Sequence, residues 1–263
     1  MADDALFRPK GPSTFVPTTA AVGPWDPNIV HGAAVSALFA GRLTPPEATL
    51  ARLTIDFVSV VPLAPLTLAL NEPSGGARVQ RQEAELSCDG KVVAVGRSVL
   101  VRRGELDLPD KALDHDSPFA GAEVPLLAEP NRAAAETVGR DSFDSSTLII
   151  DYLKVEGDRR VHQWIALALP VVEGTELQGT EVAAVAADYA QSAVHRQLPF
   201  GDWSFRNTEL TIHFAREPVG SWIGARCESV VQPAGAGFNT ADLFDADGRV
   251  GRSAAALVVE RRG

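Results

Sequence analysis

A chain of 263 residues with 45% hydrophobic and 22% charged side chains has an ordinary globular composition and room for two domains of usual size. Its net charge of −10 and pI near 5.0 exclude a general electrostatic attraction to nucleic acid or anionic lipid. No apolar run approaches the ~18 residues of a membrane helix, so no membrane span is expected. Met1-Ala2-Asp3-Asp4 opens acidic with no apolar stretch behind it, so no secretory leader is expected either. Two cysteines, Cys88 and Cys227, read as buried free thiols in a reducing, cytoplasmic setting.

In chain order, a short strand region spans Ser13 to Val22. A helix follows from His31 to about Leu43: Val35, Leu38, Phe39 and Leu43 keep helical spacing in an alanine-rich background. Asp26-Pro27-Asn28 precedes it as a capping loop, and Thr44-Pro45-Pro46 ends it. Leu53, Ile55 and Phe57 alternate with Thr54 and Asp56 as a half-buried strand. Pro65 to Leu70, Arg78 to Cys88 and Lys91 to Arg102 give three more, read as a meander with turns at Gly75-Gly76 and Asp89-Gly90. Residues 105–142, with Pro109, Pro118, Pro125 and Pro130, read as a linker carrying a short helix around Arg132 to Thr137. Strand residues then recur from Leu148 to Pro170. A second alanine-rich helix runs from Val182 to Gln197 and stops at Pro199. Strands resume with Leu210 to Phe214, then Ser221 to Val231, Phe238 to Phe244 and Arg249 to Arg261.

The chain repeats itself. Leu53-Thr54-Ile55-Asp56-Phe57 recurs as Leu210-Thr211-Ile212-His213-Phe214, offset by 157 positions (210 − 53). Each copy leads to a proline (Pro62, Pro218), an Asp-Gly turn (Asp89-Gly90, Asp247-Gly248) and a Gly-Arg-Ser strand (Gly96-Arg97-Ser98, Gly251-Arg252-Ser253). A tandem duplication follows, with repeats at 1–104 and 143–263. Both helices are apolar nearly all round, the mark of helices buried on most sides. One buried helix wrapped by an antiparallel sheet is the hotdog arrangement, and two in tandem make a double hotdog. The expected fold class is therefore α+β, with an antiparallel sheet wrapped around two central helices. Two unrelated α+β sandwiches are the alternative.

Few residues have the character of a site. Asp188 is the only charge between Val182 and Val194. A carboxylate there is costly unless hydrogen-bonded and is a plausible general base; the alternative is a solvated stripe with Gln191 and His195. His31-Gly32-Ala33 opens the first helix, where free N–H groups and a bare glycine suit an oxyanion; the alternative is a turn closed by a structural histidine. Asn207 precedes a strand, where asparagine usually serves as a cap. His213, at the repeat position of Asp56, reads as a strand-face residue. No metal-ligand spacing, phosphate loop or nucleophile elbow is present, and no cofactor is expected.

The ordered set Trp25-Asp26-Pro27, His31-Gly32-Ala33-Ala34, Ala51-Arg52-Leu53-Thr54-Ile55-Asp56-Phe57, Val61-Pro62-Leu63, Val185-Ala186-Ala187-Asp188-Tyr189-Ala190, Asn207-Thr208-Glu209-Leu210-Thr211 and Glu217-Pro218-Val219-Gly220-Ser221-Trp222 resembles the double-hotdog acyl-CoA thioesterases, most of all the acyl-CoA thioesterase II relatives. The resemblance implies an attacking water held by an aspartate, by a Thr, Ser or Asn, and by a Gln on the last strand. Asp188 and Asn207 match the first two. The third falls on Ala255 or Ala256. It further implies an acyl-CoA ligand, an acyl chain lying between the two helices, and a homodimer through sheet edges. A ligand-binding module without hydrolysis is the second reading, and hydratase chemistry the third. Aligning Leu43 with Leu198 sets Gly32-Ala33 against Ala187-Asp188, so the repeats read as complementary sides of one site.

Overall fold

The structure, a computed structural model, describes residues 3–114, 119, 129–130, 133–157 and 159–262. Pro118, Pro125 and Arg132 of the expected linker lie outside them. The first half holds β1 (Phe7–Pro9), β2 (Thr14–Pro17), α1 (Gly32–Arg42), β3 (Ala48–Phe57), β4 (Leu66–Leu70), β5 (Ser74–Gly75), β6 (Val79–Cys88) and β7 (Lys91–Arg102). Short helices α2 (Ala133–Val138) and α3 (Phe143–Ser146) follow. The second half holds β8 (Leu148–Glu156), β9 (Arg160–Leu167), α4 (Gly179–Asp188), a 3-10 segment (Tyr189–Arg196), β10 (Trp203–Asn207), β11 (Glu209–Phe214), β12 (Ile223–Val231), β13 (Ala236–Asp245) and β14 (Gly248–Arg261).

All the strands join one antiparallel sheet in the order β1-β2-β4-β6-β7-β3-β11-β14-β13-β12-β9-β8, with β5 beside β6 and β10 beside β14. The two copies of the repeated strand meet at its centre: Thr54 pairs with Thr211, Leu53 with Ile212 and Ile55 with Leu210. Equivalent residues thus face each other across an approximate two-fold axis, and two half-sheets become one. The expected double hotdog is borne out.

The order of strands within a half differs from a simple meander. β3 pairs with β7 and not with β4, which pairs with β6. β11 likewise pairs with β14, beyond the β12-β13-β14 run. The strand after each helix therefore crosses to the far side of its half-sheet, leaving the helix underneath. Local sequence cannot show this, because strand pairing is a long-range property. Turn chemistry was legible: Asp89 and Gly90 both have positive φ, 48° and 75°, as a two-residue primed hairpin requires.

α1 and α4 fill the concave side of the sheet, and Ala33, Ala34, Ala37, Ala183, Ala184 and Ala187 are fully buried. The helices run antiparallel. A Cβ on Gly32 would lie 3.1 Å from Asp188 Oδ2, and one on Gly41 would strike the Glu181 carboxylate. The helices touch at both ends, so the expected acyl path between them is closed. The second helix is also shorter as an α-helix than its periodicity suggests: it tightens to 3-10 geometry after Asp188.

Aligned at their caps, His31 and Gln178, the helices place Gly32 level with Gly179 and Asp188 level with Gly41. This replaces the alignment through Leu43 and Leu198. Gly32 is the contact partner of Asp188, and its counterpart in the second helix is Gly179, not Ala187.

Outside the sheet, Phe119 packs against Trp164 and Phe244, with ring centroids 4.8 and 5.3 Å away. It covers the outer face of β9, β12 and β13, where a Cβ on Gly224 would lie 2.9 Å from its ring. Cys88 and Cys227 are free and buried, as expected.

Candidate active site

His31 caps α1, its Nδ1 accepting from the Ala33 N–H at 2.9 Å. The Nε2 edge of the ring points toward Asp144 Oδ1, 3.9 Å away. The ring stacks on Phe143 at 4.8 Å between centroids. Asp188 lies on the other side, its Oδ1 3.9 Å from His31 Nδ1. One buried histidine thus stands between two buried carboxylates.

Asp188 ends α4 at 1% exposure. Asn207, at the end of β10, donates from Nδ2 to its Oδ2 at 2.9 Å and to its backbone carbonyl at 3.0 Å. Burial pushes the Asp188 carboxyl above its ordinary range; His31 and the Asn207 hydrogen bond oppose the rise, and Asp144 adds to it. The result is a base of increased proton affinity held in a fixed direction.

These groups border a cavity of about 200 Å³. Its lining includes Gly32, Asp188, Asn207 and Gln191, with Ile29, Val30, Phe57, Val60, Val61 and Trp25 as apolar walls. The cavity thus opens beside α1, against the 23–31 loop, and not along the helix pair. At the start of α1, no acceptor among the described residues takes the Gly32 N–H. The Ala33 N–H is committed to His31, so only the glycine amide of the expected pair is open to a ligand.

The five sequence-predicted residues, Asp188, Asn207, His31, Gly32 and Ala33, come together in space. Asp144, Gln191 and Asn239 were missed. Gln191 does not belong to a solvated stripe: it is buried and its Oε1 meets no donor among the described residues. His195 is exposed and outside the lining. Asn239 donates to Asn207 Oδ1 at 3.0 Å. Its signal was available, since alternation through Ala241 and Leu243 puts a polar residue on the inner face of β13. Asp144 had none; it sits in a four-residue helix next to the linker. Of the two alanines at the expected glutamine position, Ala255 faces inward at 2% exposure and Ala256 faces solvent. Among the described residues no cluster of His, Cys, Asp or Glu could hold a metal.

Residues 21–101 match the model of the acyl-CoA thioesterase N-terminal domain, and residues 111–259 that of the acyl-CoA thioesterase C-terminal domain. The chain belongs to the acyl-CoA thioesterase family. No curated protein matches it. Among solved structures it is similar to a protein assigned as a thioesterase from Novosphingobium aromaticivorans, with TM-score 0.69 and 17% identity, covering 96% of this chain and 98% of that one. It is similar to a hot dog fold protein of unknown function from Alicyclobacillus acidocaldarius, with TM-score 0.67, 16% identity and coverages of 99% and 97%. It is also similar to an acyl-CoA thioesterase II of Mycobacterium marinum, with TM-score 0.64, 11% identity and coverages of 91% and 94%. At these identities the likeness is one of fold. The site residues of this thioesterase family member rest on its own geometry.

Proposed function

We propose that the protein hydrolyses acyl-CoA thioesters with a water activated by Asp188 and without a cofactor. One observation carries the reading: a buried, hydrogen-bonded carboxylate lies against a bare helix start at the wall of a cavity, Asp188 beside Gly32. Water attacks the thioester carbonyl carbon and gives its proton to Asp188. The carbonyl oxygen takes the negative charge at the Gly32 N–H, where the helix dipole favours it. Collapse of the tetrahedral intermediate breaks the C–S bond. The proton on Asp188 passes to the departing thiolate, leaving a free acid and CoA. Asn207 keeps the carboxylate aimed, and His31 fixes the helix start.

The cavity also bears on the acyl group. Its apolar walls, Ile29, Val30, Phe57, Val60, Val61 and Trp25, suit the hydrocarbon of an acyl group. A panel of acyl-CoA thioesters with released thiol as readout tests the proposal: turnover of at least one member is expected, and none across the panel would refute it. Ala255 carries the second reading, a protein that binds acyl thioesters without cleaving them. Saturable binding with no thiol released would establish that reading.

A further inference from the structure

Asn239 lies in β13 directly across the ladder from Ala255. It shares the inner face with Ala241 and Leu243 and is fully buried. A buried amide costs free energy unless its groups are matched. Here only the donor side is matched: Nδ2 donates to Asn207 Oδ1 at 3.0 Å, and Oδ1 meets no donor among the described residues. Ala255, its neighbour across the ladder, contributes only a methyl group to this face. The one side-chain hydrogen bond that Asn239 makes among the described residues thus goes to a residue that touches Asp188.

That bond acts with the two Asp188 acceptors on which way Asn207 points. A carboxamide has a donor end and an acceptor end of nearly equal shape, and the two exchange by rotation about the last torsion. As it stands, the Asn207 NH₂ faces two acceptors, Asp188 Oδ2 and the Asp188 carbonyl. Turned over, its oxygen would face both of them and repel the carboxylate. The Asn239 donor meets the Asn207 oxygen and so favours the same orientation as the Asp188 contacts.

We propose that Asn239 is a positioning residue for hydrolysis, locking the Asn207 amide so that it donates to Asp188. This rests on the function proposed above. The groups facing Asp188 are His31 from the start of α1, Asp144 from α3, Gln191 from the 3-10 segment and Asn207 from β10; Arg206 borders the same cavity and pairs with Glu260. Only the Asn207 contact depends on Asn239. Its loss removes one of the two interactions that hold down the proton affinity of Asp188. The acid limb of kcat then moves to higher pH, because Asp188 must be ionised to accept the proton of water.

The test uses Asn239→Leu and Asn239→Ala in the full chain, each alone and combined with Asn207→Ala. The expected result is a fall in kcat of about tenfold to a hundredfold, the range for a hydrogen bond to a charged group. KM should change by less than about threefold on the same scale, with the acid limb displaced upward. In the Asn207→Ala background neither variant should lower kcat further. An unchanged kcat and acid limb would overturn the inference, as would an equal loss of kcat in both backgrounds. Should Asn239→Leu fail to fold, the Asn239→Ala series decides alone. If the wild-type protein hydrolyses nothing, the proposed function falls. The inference is then read from the carboxyl carbon resonance of Asp188, whose titration midpoint must rise in the variant and would refute it by staying put.

Discussion

Asp188→Asn is the sharpest perturbation of the site, because it removes the base and preserves the shape. The replacement has the same volume, and its amide oxygen can still accept from Asn207 Nδ2, which lies 2.9 Å from Asp188 Oδ2. General base catalysis typically contributes about 10²–10⁴-fold, or about 3–5 kcal/mol of barrier at 1.36 kcal/mol per factor of ten. Thiol release should therefore fall at least about a hundredfold, with KM little changed.

Stability should move the other way. Burial raises the Asp188 pKa in the folded protein, so the folded state holds its proton more tightly than the unfolded chain does. Stability then falls as pH rises from the unfolded value near 3.8 through the folded one. The neutral isostere escapes that loss. Denaturation midpoints of Asp188→Asn should exceed wild type at pH 8 and converge with it toward pH ~4. Turnover within about threefold of wild type, or a stability gain larger in acid than in base, would refute the assignment of Asp188 as a buried base.

Glu181 is buried against Gly41, and desolvation raises its pKa to about 7 against the backbone hydrogen bond at Gln178, which lowers it. With the unfolded value at 4.5, stability is lost as pH climbs through about 7; Glu181→Gln should raise the urea-unfolding free energy by roughly 3 kcal/mol at pH 8 and by almost nothing at pH 4. Phe119→Ala should destabilise the fold by about 3–5 kcal/mol, measured by thermal or urea denaturation, because the ring is 4% exposed and covers Trp164 and Phe244.

Much of this was legible in the residues, and the limits are physical. The repeated Leu-Thr-Ile strand exposed the duplication, and the Thr54–Thr211 pairing is its direct product. The alanine-rich helices declared their burial because no polar face remained for solvent. Strand order was hidden, since a strand's alternation shows which face is buried and says nothing about its neighbour. The closeness of the two helices was hidden for a related reason. Alanine faces leave room for a ligand or let two helices close on each other, and only the contacts at Gly32 and Gly41 decide between these. Within the site, single residues that break an apolar pattern were visible, as with Asp188. Asp144 was invisible because its role depends on a short segment folding back beneath His31.

The approximate two-fold axis offers the fold two equivalent helix junctions, and the residues equip only one of them. At the first, Gly32 meets Asp188 and Asn207 completes the contact. Asp188 is level with Gly41 of α1, and Asn207 stands 157 positions after Leu50, so the second junction has glycine and a buried leucine where the first has its carboxylate and amide. The carboxylate that does lie there, Glu181, is turned into its own helix, accepting from the Gln178 N–H at 2.8 Å, and Pro218 closes over Gly179. Both junctions carry a buried acid of raised pKa, so burial alone does not make a site. The difference is direction: Asp188 borders a cavity with its orientation set by Asn207 and, through it, by Asn239, whereas Glu181 is occupied in capping a helix.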